Sequence, residues 1–257
     1  MDKQQLEADR HYSVVKSNKL IQQSRHSLST TEQKIILYLL TKIKPKDNDL
    51  KIYDFQIRDF CSVCGISNSG TNYTDLKAAI KKLADKSFWV KTDNGEETLV
   101  RWIEKPYIEP HSGTMRIKLD VEMRPYLLGL KTKFTQYEIY YVLAMKSQYS
   151  IRVYELLKSY EFERNKKWEI TEFKKLVGAE KYQRHADFTR KVLDIAFREI
   201  NELGDIRIDY TLEKVSRTYK FITFLINSKE DIEERRKTWA NIEGKLMPIH
   251  EQIKLSY

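Results

Sequence analysis

Arg184, His185, Asp187, Thr189, Arg190, Lys191 and Asp194 crowd into residues 184–194, around an apolar stripe of Phe188, Val192, Ile195, Ala196 and Ile200 at helical spacing. On such a helix the polar groups share the face turned away from the core. A guanidinium can donate two hydrogen bonds to guanine O6 and N7, so Arg184 and Arg190 are the first candidates for reading bases. Lys191 can do the same or hold a phosphate. Asp187 can accept from a cytosine amine or orient Arg190 or Lys191. His185, Thr189 and Asp194 complete the base-reading set. Lys214, Arg217 and Lys220 sit on or beside a turn between two strand-like segments. There they suit phosphates, which position a protein without specifying sequence. An earlier helix offers Asn72, Tyr73, Lys77, Lys81 and Lys82, mostly Lys and few forked donors. That set suits a DNA backbone, weak reading, or pairing with another protomer.

Other chemistries lack their parts. A nickase of the metal-dependent kind needs two clustered His ligands and a nucleophilic Tyr. His11, His26, His111, His185 and His250 never form a close pair, and with 16 Tyr a candidate nucleophile means nothing. A helicase needs a P-loop, yet Gly244-Lys245 has no earlier Gly at the required spacing. Cys61-x-x-Cys64 is half a zinc or redox motif without a second Cys pair or a nearby His. Cys64 is expected to be a buried small hydrophobe and Cys61 more exposed. Trp89 and Trp102 are expected to pack rather than stack on bases. No enzyme activity, metal or cofactor is therefore expected.

The 257 residues hold 46 Lys and Arg against 37 Asp and Glu, a net charge of +9. Excess positive charge fits a polyanion, because each cation set on a phosphate releases condensed counterions. Apolar residues make up 41 %, enough for a packed core, and Gly and Pro number only 8 and 5. No apolar run approaches the roughly 18 residues of a membrane span, and the first residues lack the apolar core of a signal peptide. The expectation is a cytoplasmic protein without membrane contact.

The elements that must position these groups come in two similar passes. In the first, Ser29-Thr-Thr-Glu32 reads as a capping box before a helix carrying Ile35, Ile36, Leu39, Leu40 and Ile43, ended by Pro45. A strand over 51–57, a short helix stopped by Gly65, a polar turn, a helix over 73–83 and strands at 87–91, 98–103 and 115–119 follow. Asp93-Asn-Gly95 supplies a turn. In the second, Thr135-Gln-Tyr-Glu138 reads as another capping box before a helix through Met145. A helix over 149–160, a strand over 167–170 and a helix capped by Thr171 and stopped by Gly178 follow. Then come a helix over 187–203 and a hairpin of 206–212 and 219–226 with its turn at 213–218. Matched positions are offset by 106 for Glu32 and Glu138, 113 for Phe60 and Phe173 and for Gly65 and Gly178, and 112 for Leu76 and Phe188. This reads as an internal duplication. Short helix, turn, longer helix, hairpin is the order of a winged helix-turn-helix, whose second helix enters a major groove about 12 Å wide. The expected fold is α+β and helix-rich, with two tandem winged-helix domains at 14–130 and 131–228. An N-terminal extension of 1–13 and a charged tail of 229–257 flank them. Within that tail, Glu230–Lys237 reads as an exposed helix or disorder.

Val15-Lys-Ser-Asn-Lys-Leu-Ile21, Ser29-Thr-Thr-Glu-Gln33, Tyr73-Thr-Asp-Leu-Lys-Ala-Ala-Ile-Lys-Lys-Leu83 and Ala186-Asp-Phe-Thr-Arg-Lys-Val-Leu193 resemble initiator replication proteins of iteron-controlled, theta-replicating bacterial plasmids. The resemblance implies monomers that bind directly repeated iterons in duplex DNA and help open an origin. It also implies dimers in equilibrium with them that repress the initiator's own gene, with host initiator and replicative helicase as further partners. By the same resemblance the C-terminal recognition helix, residues 184–194 here, is the main reader, and the N-terminal domain supplies DNA contacts and the dimer interface. A transcription regulator of the same fold, without a replication role, is the alternative reading.

Overall fold

Two helix-and-sheet units share one chain, and a strand from the far N-terminus ties them. The computed structural model describes residues 2–246 apart from 45, 67–69, 92–93 and 110–111. In order come α1 (Lys3–Arg10), β1 (Ser13–Ser17), α2 (Asn18–Gln23), α3 (Thr30–Leu40), β2 (Ile52–Gln56), α4 (Ile57–Val63), α5 (Gly70–Ala84), β3 (Ser87–Lys91), β4 (Glu97–Arg101), β5 (Ile103–Ile108), β6 (Thr114–Leu119) and α6 (Arg124–Leu127). They are followed by β7 (Phe134–Glu138), α7 (Tyr140–Leu143), α8 (Gln148–Lys158), β8 (Asn165–Glu169), α9 (Ile170–Leu176), α10 (His185–Phe188), a π-helical segment (Thr189–Leu193), α11 (Asp194–Leu203), β9 (Ile206–Val215), β10 (Thr218–Ser228) and α12 (Ile232–Leu246). All strand pairs are antiparallel: β1 with β7, β2–β6–β5, the hairpin β3–β4, and β8–β10–β9.

The first capping box forms as expected. The Ser29 hydroxyl accepts from the Glu32 amide, and the Glu32 carboxylate accepts from the Ser29 amide at 2.7 Å. The second does not. Thr135–Glu138 lies in β7, whose burial alternates along Phe134, Thr135, Gln136 and Tyr137. A period of two with a waiting partner strand outweighs the local Thr-x-x-Glu signature. The helix expected through Met145 therefore shrinks to Tyr140–Leu143. The helix expected to be capped by Thr171 begins earlier, with Glu169 at its cap position and no side-chain cap bond. Of the matched pairs, Gly65 and Gly178 share φ values of +63° and +67° at helix ends. Phe60 and Phe173 are both wholly buried. Glu32 and Glu138 do not correspond, one being helical and the other at a strand end. Pro45, 67–69 of the polar turn and Asp93 lie outside the described residues, and Ile43 falls beyond the end of α3.

Each unit has an aromatic core. Tyr38 meets Phe55 and Phe60 edge-on at 5.6 and 5.5 Å. In the second unit Phe173 lies 5.1 Å from Phe224 and 6.3 Å from Phe188, so the sheet, α9 and α10 hold one another. Between the units lies a buried polar junction. Arg152 of α8 donates to the carbonyls of Ile21, Ser24 and Leu176 at 2.7, 2.9 and 2.9 Å. Glu155 pairs with Lys16 of β1 and accepts from the Tyr137 hydroxyl at 2.5 Å.

Two other expectations change. Cys61 is buried like Cys64, because α4 turns both toward the core. Trp89 is 59 % exposed, since the β3–β4 hairpin turns Phe88 and Val90 inward and Trp89 outward, while Trp102 is buried. The exposed helix expected over 230–237 is present as the first turns of α12, whose later turns dock by burying Thr238, Ile242 and Leu246. Glu243 of α12 meets Arg10 at 3.4 Å and accepts from Tyr140 at 3.0 Å, and Lys245 meets Glu202 at 2.5 Å.

Candidate nucleic-acid interface

Residues 184–203 form one helical rod with a defect inside it. Arg184 takes the cap position with extended backbone and no side-chain cap bond. Over Thr189–Leu193 the helix widens to π geometry, which admits one extra residue per turn. The widening lets adjacent Val192 and Leu193 both reach the core, while Phe188, Ala196 and Ile200 continue the buried stripe. Arg184, Arg190 and Lys191 are exposed opposite that stripe.

Asp187 stands 3.3 Å from Arg190 and 3.4 Å from Lys191. The hydrogen bond and charge of Lys191, reinforced by Arg190, hold its carboxyl below the ordinary Asp range. The carboxylate is thus placed to orient two cations. Asp194 is engaged elsewhere. It accepts from the Tyr210 hydroxyl of β9 at 2.9 Å, tying the rod to the hairpin. Burial and that bond push the Tyr210 phenol up to about 12. Thr189 lies with its hydroxyl 3.4 Å from His185 Nε2.

The hairpin is longer than expected, and its turn narrows to Ser216 and Arg217, with Ser216 at φ +58°. Arg217 is therefore at the exposed tip, while Lys214 lies on β9 opposite Tyr219. Lys220 occupies a bulge between Tyr219 and Phe221 and stands 3.6 Å from Glu169. The Tyr219 ring stacks on His185 with centroids 4.1 Å apart and planes 20° apart. The Lys214 ammonium sits 4.5 Å from the same ring's centre. Burial first, then Lys174 and Lys214, lower the His185 pKa and favour the neutral imidazole. Neither Tyr219 nor Tyr210 is nominated by residue type and spacing alone. A turn drawn over 213–218 hid the Lys214–Tyr219 pairing that the register reveals.

In the first unit Lys77 and Lys81 are exposed on α5, Lys81 standing 3.7 Å from Asp85, and Tyr73 is half-buried against the core. The Asn72 side chain lies outside the described residues. Among the described residues no group of three or more His, Cys, Asp and Glu gathers to hold a metal, and no helix is long and apolar enough to cross a membrane. Burial pushes the Cys64 thiol up to about 12 and raises Cys61 as well, which keeps both protonated.

Residues 13–158 match the family described as Initiator Replication protein, WH1, and residues 169–226 match Initiator Rep protein, WH2. Among solved structures, the chain is similar to the Pi initiator protein crystallised in complex with iteron DNA. That match has 22 % identity and a TM-score of 0.71, over 86 % of this chain and 99 % of that one. A fainter likeness, with 12 % identity and a TM-score of 0.45, covers 79 % of this chain and 83 % of domains 2 and 3 of RctB. The two family matches span both winged-helix units.

Proposed function

Because the chain belongs to the initiator replication protein family, we propose that it is a plasmid replication initiator that binds repeated iteron sites in duplex DNA and helps open the origin. The observation that carries this reading is the exposed cationic face of Arg184, Arg190 and Lys191 on a rod braced by the hairpin that bears Lys214 and Arg217. Arg184 and Arg190 read bases, Asp187 orients Arg190 and Lys191, and Lys214, Arg217 and Lys220 grip phosphates. Lys77 and Lys81 of the first unit track the backbone of a neighbouring turn, beside Asn72 and Tyr73. The division of labour follows the two domains, 14–130 for backbone contact and self-association and 131–228 for reading. Two linked domains on successive major grooves cover about 20 base pairs, and linkage makes the second docking effectively intramolecular.

The action is binding and deformation in the cytoplasm, without covalent chemistry. Monomers occupy iterons and dimers repress the initiator's own gene. Host initiator and helicase join at the opened origin. The test is selection of duplexes from a random 30-base-pair pool, near physiological salt, followed by sequencing. The expected result is an enriched motif spanning about two helical turns and asymmetric in its halves. A lone palindrome would favour a dimeric regulator instead. Salt-sensitive binding without enrichment would leave a general polyanion binder and remove the reading roles of Arg184 and Arg190.

A further inference from the structure

The reading rod starts without a side-chain cap, and Phe188 is its first residue anchored in the core. Arg184 gives no side-chain cap bond, α10 is only His185–Phe188, and the π segment follows at once. Helix starts of this kind leave backbone donors without partners in the helix and take their placement from outside contacts. The contact here is aromatic. Tyr219 of β10 presents its ring to His185 at 4.1 Å in a near-parallel stack. The same ring receives the Lys214 ammonium at 4.5 Å, and Lys214 and Tyr219 are cross-strand partners. His185 in turn reaches Thr189 at 3.4 Å, at the first residue of the π segment. The bulge at Lys220, directly after Tyr219, increases the local twist and re-aims the neighbouring side chains of the strand. A continuous chain of contacts therefore runs from the wing through Lys214, Tyr219, His185 and Thr189 into the segment that carries Arg190.

We propose that Tyr219 is a positioning residue for sequence recognition: its ring locks the start of the reading rod to the wing, so that the phosphate grip of Lys214 sets the groove register of Arg184 and Arg190. The inference rests on the function proposed above. The ring and not the hydroxyl makes both contacts, so Tyr219→Phe keeps them and Tyr219→Ala removes them. Tyr219 is half-buried rather than central to the core, so its loss acts on placement more than on folding. Because phosphate contacts fix register and base contacts fix sequence, uncoupling the two should damage discrimination more than total binding.

The experiment measures binding of the full chain to two duplexes: the one the wild type enriches from a random pool, and a shuffled duplex of equal composition. With Tyr219→Ala the ratio of the two affinities is expected to fall about ten-fold, while binding to the shuffled duplex changes by less than about three-fold. Tyr219→Phe should keep the wild-type ratio. Lys214→Ala should lower the slope of log affinity against log salt by about one in the wild type. It should lower that slope by less than half as much beside Tyr219→Ala, where the ammonium has lost its seat. Should Tyr219→Ala fail to fold, Tyr219→Leu keeps apolar bulk without an aromatic face and carries the same expected loss. An unchanged ratio, an equal loss in the Phe variant, or an identical Lys214→Ala effect in both backgrounds overturns the inference alone. A wild type that enriches no duplex overturns the reading of function, and this inference with it.

Discussion

Arg190 and Lys214 carry the same charge in different settings, and single substitutions should separate them. Arg190→Ala should relax base preference at one or two positions, at about 1–3 kcal/mol of discrimination. Lys214→Ala should weaken every duplex, shuffled ones included, and reduce the salt slope by about one. Equal effects of both variants on every duplex in a binding panel would sink that assignment. His26 offers a test of stability. Its ring packs against Trp102 at 4.9 Å and Phe88 at 5.9 Å, and its Nδ1 is shut away without a hydrogen-bond partner. Burial, then the charges of Arg152, Lys16 and Lys86, hold its pKa well below the ordinary value. The folded chain keeps the ring neutral while the unfolded chain takes up a proton near pH 6.5. The stabilisation is therefore complete above that pH and is lost as pH falls below it, toward the lowered folded value. Thermal unfolding at pH 7.5 and 5.5 should show a larger loss for the wild type than for His26→Phe. His185, also lowered, adds a loss of the same sign that both proteins share. The charges of the reading face were legible in the sequence because side-chain type alone nominates them. Tyr219 was not, because its role depends on strand register.

At the scale of elements, the two glycine-ended short helices were the most legible part of the repeat, and Gly178 shows why. A Cβ there would stand 2.8 Å from the His26 carbonyl oxygen, at φ +67°. Both the left-handed backbone and the close approach demand glycine. Gly178→Ala should destabilise by about 2 kcal/mol or more, read as a shifted denaturant midpoint. Gly95, at φ +88° with nothing within 4 Å, is the control and should cost about 1 kcal/mol as Ala. Equal losses would mean that strain alone matters and the approach to His26 does not. The elements that sequence reading missed share a cause. β7 reads as a helix start until its partner β1 is known, and residues 232–246 read as an exposed charged segment until α12 docks on α7 and α11. Long-range pairing decided both, and a local pattern holds no record of it.

For the whole molecule the decisive feature is the polar junction between the units. Lys16 and Glu155 are 5 % and 4 % exposed at their side chains, and burial lowers the Lys16 pKa despite Glu155. Glu155→Gln strands a buried ammonium and should destabilise by about 3–5 kcal/mol. Adding Lys16→Met should recover part of that loss, because an apolar side chain needs no partner there. Chemical unfolding of the three variants decides it. A double variant as weak as the single one would show that the stranded charge is not the source of the loss.

The pairing of β1 with β7 also has a history in time. Ser13 pairs with Glu138 and Ser17 with Phe134. A ribosome adds about 5–20 residues per second, so β1 is made roughly 6–25 s before its partner strand. During that interval the first unit can close its own sheets while the backbone of Ser13–Ser17 waits without a partner strand. Every nascent chain shorter than Phe134 carries that unpaired segment, and only the arrival of the second unit retires it.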